Sequence, residues 1–139
     1  MTVTGRCLCG AVSYKIDSPP LLVRTCWCRL CQTIGAGSAT VNAVFPSAAF
    51  AVTGEFNTYT STADSGNIMH RRFCPRCGTH VFGGSEARPD IVVVRVKTLD
   101  EPENAKPAMT IWTSRAPSWA SIDSRLPTFE AQPPPPPRG

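Results

Sequence analysis

Short stretches of alternating apolar and polar residues run through most of the chain, and they predict β-strands rather than helices. The stretches AVSYKI at 11–16 and ATVNAVF at 39–45 show the partial alternation of half-buried strands. Similar patterns predict further strands over 21–25, 50–53, 56–60, 67–73, 80–82 and 91–96. No segment has the apolar spacing of an amphipathic helix of three turns, and 98–107 is predicted to be a loop with one helical turn.

Turn-forming residues separate the predicted strands. Glycine, proline, aspartate and serine cluster at 18–20, 54–55, 64–66 and 83–84, and such clusters are typical of tight turns. Many short strands joined by turns indicate small sheets that fold over one another. The sequence therefore predicts a mainly β fold.

The chain length and its C-terminal composition predict one domain followed by a tail. A chain of 139 residues is the size of a single domain, which we place at 1–131. The segment QPPPPPRG at 132–139 favours an extended, flexible proline-rich tail over packed structure.

Charge and hydropathy restrict the possible partners. The formal net charge is +4 with cysteines counted as neutral, but seven thiolates on two divalent ions would reduce it to about +1. This value gives little support to nucleic-acid binding. No apolar run reaches the roughly 18 residues of a membrane span, and the absence of a secretory signal at the N-terminus predicts a cytoplasmic protein.

The seven cysteines provide the chemistry in this sequence. Their count is odd and they lie in three short clusters, which favours metal binding over a disulfide scaffold. The clusters are CLCG at 7–10, CWCRLC at 26–31 and CPRCG at 74–78.

The third cluster has the pattern of a zinc knuckle, in which Cys74 and Cys77 converge on one ion across a tight turn. A closed zinc site needs four ligands, so a second pair is required. Cys7 and Cys9 face the same side of an extended segment and are the predicted partners. We interpret these four cysteines as a structural site.

The middle cluster places Cys26, Cys28 and Cys31 within six residues, close enough to hold one ion in a single loop. His70 or His80 could supply a fourth ligand; otherwise the position is left to water or a substrate atom. Three protein ligands and an exchangeable one are typical of catalytic zinc. Cations at Arg29, Arg71, Arg72 and Arg76 would offset the thiolate charge, and Tyr14, Tyr59, His80 and Trp112 are candidate pocket residues.

On these residues the sequence resembles the glutathione-dependent formaldehyde-activating enzyme family, which includes the centromere protein V group. The matching stretches are GRCLCGAVSY, CWCRLC, RRFCPRCGTHVF and VKTLDEP, with IW and LPTFE near the end. The resemblance implies an Mss4-like fold of small antiparallel sheets organised around zinc. It also implies a structural ion on Cys7, Cys9, Cys74 and Cys77, and an exchangeable catalytic ion on Cys26, Cys28 and Cys31.

The resemblance further implies a carbon–sulfur lyase-type reaction in which glutathione, as co-substrate, adds to formaldehyde to give S-hydroxymethylglutathione. The expected partners are therefore a small thiol and a small electrophile. A non-catalytic zinc scaffold that binds a protein or nucleic acid is the alternative. A thiol-redox role for Cys74 and Cys77 is disfavoured, because such motifs open a helix after a strand and here a strand is predicted to follow.

Overall fold

The computed structural model describes residues 2–134 and is built from ten short strands and one short helix. The strands are β1 (Val3–Arg6), β2 (Ser13–Ile16), β3 (Leu22–Cys26), β4 (Thr40–Pro46), β5 (Phe50–Thr53), β6 (Asn57–Thr62), β7 (Ile68–Phe73), β8 (His80–Ser85), β9 (Ile91–Arg95) and β10 (Met109–Ile111). The helix α1 covers Arg29–Ile34, and single 3₁₀ turns lie at Ser47–Ala49, Val96–Thr98, Pro102–Asn104 and Thr113–Arg115.

The strands form two sheets. A three-stranded sheet has the order β1-β2-β5, and a seven-stranded sheet has the order β10-β3-β4-β9-β8-β7-β6. All neighbours are antiparallel except β10 and β3, which pair in parallel. The mainly β fold of small antiparallel sheets is therefore confirmed.

The predicted strands match β2 to β9 with shifts of a few residues at their ends. The turn predicted at 83–84 is wrong, because Gly83 and Gly84 continue β8 and pair with β7. The loop over 98–107 is also confirmed, and its helical turn is Pro102–Asn104. Sequence patterns did not predict β1, α1 or β10. The sequence of β1, VTGR, has only one apolar residue. The helix has six residues, fewer than two turns, and β10 has three residues and exists because it pairs with β3.

Two apolar clusters hold the sheets together. The larger is centred on fully buried residues such as Val12, Ile16, Phe45 and Val81. Aromatic rings pack between the two sheets, and the ring centroids of Phe50 on β5 and Phe82 on β8 are 4.9 Å apart. The smaller cluster contains the CWCRLC segment together with the end of β10. The cysteines at 26–31 thus lie in a core region, where packing fixes their positions.

The segment after β10 packs back onto the smaller cluster. The Phe129 N–H donates to the Thr110 carbonyl at 2.9 Å, and Thr110 N–H donates to the Pro127 carbonyl at 3.0 Å. Gln132 accepts a hydrogen bond from Trp112 Nε1 at 3.1 Å, and Pro133 is buried. The predicted proline-rich tail begins at 132, and its part over 135–139 lies outside the described residues.

None of the helices among residues 2–134 has the length and hydropathy needed to cross a bilayer.

Candidate functional site

The first cysteine group brings together residues from opposite ends of the sequence. The Sγ atoms of Cys7, Cys9, Cys74 and Cys77 all lie within 4.8 Å of one another. Cys9 Sγ is 3.7 Å from Cys7 Sγ and 3.8 Å from Cys74 Sγ. A tetrahedral ion with Zn–S bonds of about 2.3 Å requires sulfur atoms about 3.8 Å apart. The donor set and its spacing therefore fit a zinc ion.

Backbone and hydroxyl donors surround these sulfur atoms. The Val12 N–H donates to Cys7 Sγ at 3.3 Å, and the Thr79 hydroxyl lies 3.1 Å from Cys77 Sγ. This hydroxyl lowers the pKa of Cys77 to about 5, so the thiolate form is favoured. Gly78 has a φ of 75°, a conformation that glycine adopts without strain, and this closes the knuckle turn.

The second group is made by one continuous segment. Cys26 ends β3, Cys28 caps α1, and Cys31 lies in the first turn of that helix. All three are buried, and their Sγ atoms lie within 4.8 Å of one another. The Cys31 N–H donates to Cys28 Sγ at 3.3 Å, so the helix start itself orients one of the sulfur atoms.

Three thiols this close cannot all be ionised without a cation. Hydrogen bonds from Cys26 and Cys28 lower the pKa of Cys31 to about 2. The same contacts raise the pKa of Cys26 far above its usual range, because a second negative charge beside the first is unfavourable. A soft divalent cation would relieve this conflict, and sulfur ligands select such ions. This group could therefore also hold a metal ion.

Neither candidate histidine belongs to a cysteine group within residues 2–134. His70 Nε2 lies 3.1 Å from Glu86 Oε1, and its Nδ1 lies 2.8 Å from Thr60 Oγ1. The His80 ring packs against Phe73, and its buried Nδ1 has no hydrogen-bond partner among the described residues. In the described part of the chain, the second group therefore offers three ligand atoms.

The second group opens onto a cavity of about 480 Å³. Cys26, Cys28 and Cys31 line it together with residues of β7, β8 and β9, and Trp112 and Pro133 also contribute. This volume is in the range of small-molecule sites. Thiol chemistry at this group would thus take place inside a partly enclosed space.

Four arginines line the same cavity, and one of them, Arg88, pairs with Asp90. Arg24 lies on β3 and is two residues before Cys26, Arg71 lies on β7, and Arg95 ends β9. Burial lowers the pKa of Arg24, and the nearby Cys26 and Cys31 oppose this effect. Burial likewise lowers the pKa of Arg71. These guanidinium groups therefore lie close enough to the sulfur atoms to interact with their charge.

The comparison with protein families shows to which family the chain belongs. The family model described as glutathione-dependent formaldehyde-activating enzyme matches residues 2–115.

The chain belongs to this family. It is also 27% identical, over 131 residues, to a Halomonas elongata protein provisionally named a glutathione-dependent formaldehyde-activating enzyme, covering 90% of this chain and 83% of that protein. A crystal structure of a Rhodobacter sphaeroides protein matches with a TM-score of 0.56 at 19% identity, covering 91% of this chain and 98% of that one. At this identity the crystal structure supports the fold alone.

Within this family member, the sequence identified the cysteines but only part of the cavity wall. Of the predicted pocket residues, Trp112 lines the cavity, whereas Tyr14 is in the core, Tyr59 is exposed and His80 is not among the lining residues. Of the predicted cations, Arg71 lines the cavity, and Arg29, Arg72 and Arg76 are not among its lining residues.

Arg24, Arg88 and Arg95 line the cavity but were not identified from the sequence. Arg24 could have been found, because residues i and i+2 of a strand share a face and Cys26 is two residues further along β3. Arg95 ends a predicted strand and reaches the site only through the pairing of β9 with β4. No local signal in the sequence indicates that contact.

Proposed function

We propose that this protein is a zinc-dependent enzyme of carbon–sulfur lyase type that adds glutathione, or a similar thiol, to a small aldehyde such as formaldehyde. The observation that carries the proposal is the second cysteine group. It offers three buried sulfur ligands, and within residues 2–134 no fourth His, Cys, Asp or Glu joins them. Three protein ligands facing a cavity are the arrangement of catalytic zinc sites.

The two groups would have different roles. Cys7, Cys9, Cys74 and Cys77 would hold a structural ion, because four sulfur ligands leave no position for a substrate. Cys26, Cys28 and Cys31 would hold the catalytic ion. A zinc ion bound there supplies a Lewis acid that lowers the pKa of an incoming thiol and keeps it as thiolate.

The remaining residues of the cavity would serve binding and charge balance. Three thiolates and a divalent ion carry a net charge of about −1, and an added thiolate makes it about −2. Arg24, Arg71 and Arg95 line the same space and would stabilise this charge. The thiolate sulfur then attacks the aldehyde carbon, and the resulting alkoxide takes a proton from water, so no dedicated acid is required.

The family and the Halomonas relative support this proposal by their names. The size of the cavity supports it as well, since about 480 Å³ is sufficient for a small thiol.

The test is metal analysis combined with a formaldehyde assay on protein purified without chelators. We expect two zinc ions per chain, glutathione-dependent perturbation of one of them, and formation of S-hydroxymethylglutathione above the uncatalysed rate. Cys28→Ser should abolish the rate enhancement, and Thr33→Ala on the exposed side of the same helix is the matched control. The proposal would be contradicted if glutathione perturbs neither zinc ion and the rate of S-hydroxymethylglutathione formation does not exceed the uncatalysed rate.

A further inference from the structure

Three of the four arginines that line the cavity, Arg24, Arg71 and Arg95, have no acidic partner within residues 2–134, where the ion pairs involve other basic residues. Arg24 Nη1 is buried without a hydrogen-bond partner. Arg71 donates to the Ser61 hydroxyl at 2.8 Å, and Arg95 Nη1 donates to Asn42 Oδ1 at 2.6 Å. Arg71 is buried, and Arg24 and Arg95 are half-buried. Guanidinium groups removed from water without a carboxylate are costly, which indicates that a ligand supplies the missing anion.

The charges that line the cavity indicate how many negative charges the ligands must supply. Arg24, Arg71 and Arg95 contribute three positive charges, and the metal-bound cysteines contribute about −1. Of the other charged groups that line the cavity, Arg88 pairs with Asp90, and Asp64 is exposed at the mouth. A thiolate ligand adds one negative charge. One further anionic group is needed to bring the buried part of the cavity near neutrality.

The position of the arginines indicates which reactant carries that group. Arg24 and Cys26 share one face of β3, so the guanidinium lies on the same wall of the cavity as the sulfur atoms. A carboxylate bonded to the attacked carbonyl carbon is one carbon away from the new C–S bond. The carboxylates of glutathione are at least a residue further from its sulfur atom than this carboxylate would be.

We propose that the small electrophile carries a carboxylate beside its carbonyl group, as a 2-oxo acid such as glyoxylate does, and that Arg24, Arg71 and Arg95 bind this carboxylate. The chemistry rests on the proposed function, whereas the binding of the carboxylate is independent of it. Arginine suits this role, because its planar fork presents two parallel donors to a carboxylate.

The reaction with such an electrophile is balanced without any further reactant. The thiolate sulfur forms a bond to the aldehyde carbon, the C=O π bond becomes an alkoxide, and water donates the proton. The product is a 2-hydroxy-2-thioether acid, in which the carboxylate is unchanged. Nothing is oxidised or reduced, and no group leaves.

The test compares glyoxylate with formaldehyde as substrate for the zinc-loaded protein with glutathione, after subtraction of the uncatalysed addition. We expect kcat/KM to be at least about tenfold higher for glyoxylate, since sites built for a polar group discriminate strongly against ligands that lack it. In Arg71→Met the glyoxylate-to-formaldehyde ratio should fall by about 30-fold, and Arg71→Lys should restore part of it.

Arg72→Met is the matched control, because Arg72 lies on the same strand but packs over the Phe82 ring on the opposite face. Its ratio should equal that of the unmodified protein. A preference for formaldehyde, or a ratio unaffected by Arg71→Met, would overturn the proposal. An increase only in the KM for glutathione in Arg71→Met would assign the arginines to the thiol's carboxylates and overturn it equally.

A direct binding measurement separates this inference from the proposed function. Pyruvate, a 2-oxo acid that does not react in the absence of a thiol, is titrated into the zinc-loaded protein while tryptophan fluorescence is followed. Of the three tryptophans, Trp112 lies in the cavity wall. Saturable quenching that weakens about tenfold or more in Arg71→Met would support carboxylate binding even if no thiol addition is found. Absence of such binding would overturn the inference while leaving the formaldehyde reaction intact.

Discussion

Cys9 and Cys74 are 65 residues apart in sequence, yet their Sγ atoms lie 3.8 Å apart. This contact joins the loop after β1 to the knuckle after β7. A metal ion at this place would close a long loop, and such a closure contributes strongly to the stability of a small domain. The integrity of the fold should therefore depend on the first cysteine group more than on the second.

Replacing Cys74 by serine should destabilise the whole domain. The change removes one of four sulfur ligands of a site whose metal is worth on the order of 10 kcal/mol of folding free energy. We expect the variant to lose one zinc ion. Its melting temperature, measured by circular dichroism, should fall into the range where the unmodified protein is still folded. Leu8→Ser in the same group is the control, because Leu8 is 87% exposed. A variant that loses zinc but melts normally would contradict a structural role.

Replacing Cys28 by serine should have a different outcome. The three cysteines of the second group come from one segment, so a metal ion there closes only a short loop. We expect a folded protein with one zinc ion per chain and no glutathione binding, measured by metal analysis and calorimetry. If Cys28→Ser unfolds as readily as Cys74→Ser, the proposed division between structural and catalytic ions is wrong.

Gln32 should stabilise the segment that carries the second group. Its Nε2 donates to the Trp27 carbonyl at 2.7 Å and to the Arg115 carbonyl at 2.9 Å. Gln32→Ala removes both hydrogen bonds and should lower the free energy of unfolding by about 1–2 kcal/mol, measured by urea denaturation. The neighbouring change Thr33→Ala affects an exposed side chain and should cost less. Equal free energies of unfolding for the two variants would show that the hydrogen bonds of Gln32 to Trp27 and Arg115 do not stabilise the protein.

Replacement by alanine should destabilise the protein at one of two adjacent glycines of β8 and have little effect at the other. A Cβ at Gly83 would collide with the backbone carbonyl oxygen of His70 on β7, whereas the atom nearest to a Cβ at Gly84 is 3.5 Å away. We expect Gly83→Ala to lower the free energy of unfolding by about 1–3 kcal/mol. Gly84→Ala should leave it within about 0.5 kcal/mol of the original value. Equal urea midpoints for the two variants would disprove the close approach of β7 and β8.

His80 should make stability depend on pH. Burial lowers its pKa, and the charges of Arg95 and Arg71 lower it further, so the folded protein holds a neutral ring where the unfolded chain binds a proton. The resulting stability is complete above the unfolded pKa of about 6.5 and is lost as the pH falls toward the folded pKa.

The measurement is the difference in unfolding free energy between the original protein and His80→Gln, determined by urea denaturation from pH 8 to pH 5. Effects of the cysteines cancel in this difference. We expect the original protein to lose stability relative to the variant as the pH falls below about 6.5. A difference that is constant with pH would show that His80 does not titrate differently on folding.

Sequence patterns predicted β2 to β9 from partial alternation or from β-branched and aromatic residues, in the case of 80–82 over only three residues. They did not predict β10 or α1. Met109–Ile111 has only three residues and becomes a strand by pairing in parallel with Leu22–Cys26. The helix Arg29–Ile34 is a single short element whose start is capped by Cys28, so its conformation depends on the cysteine group that surrounds it.

The sequence by itself determined the local parts of the candidate site. Cys26, Cys28 and Cys31 are close in sequence, and so are Cys74 and Cys77. The local backbone conformation is therefore sufficient to bring the sulfur atoms of each cluster together. Only the tertiary structure decided that Arg24, Arg71 and Arg95 meet in one cavity with Trp112. Their approach depends on strand order and register, which are set by packing across the whole sheet.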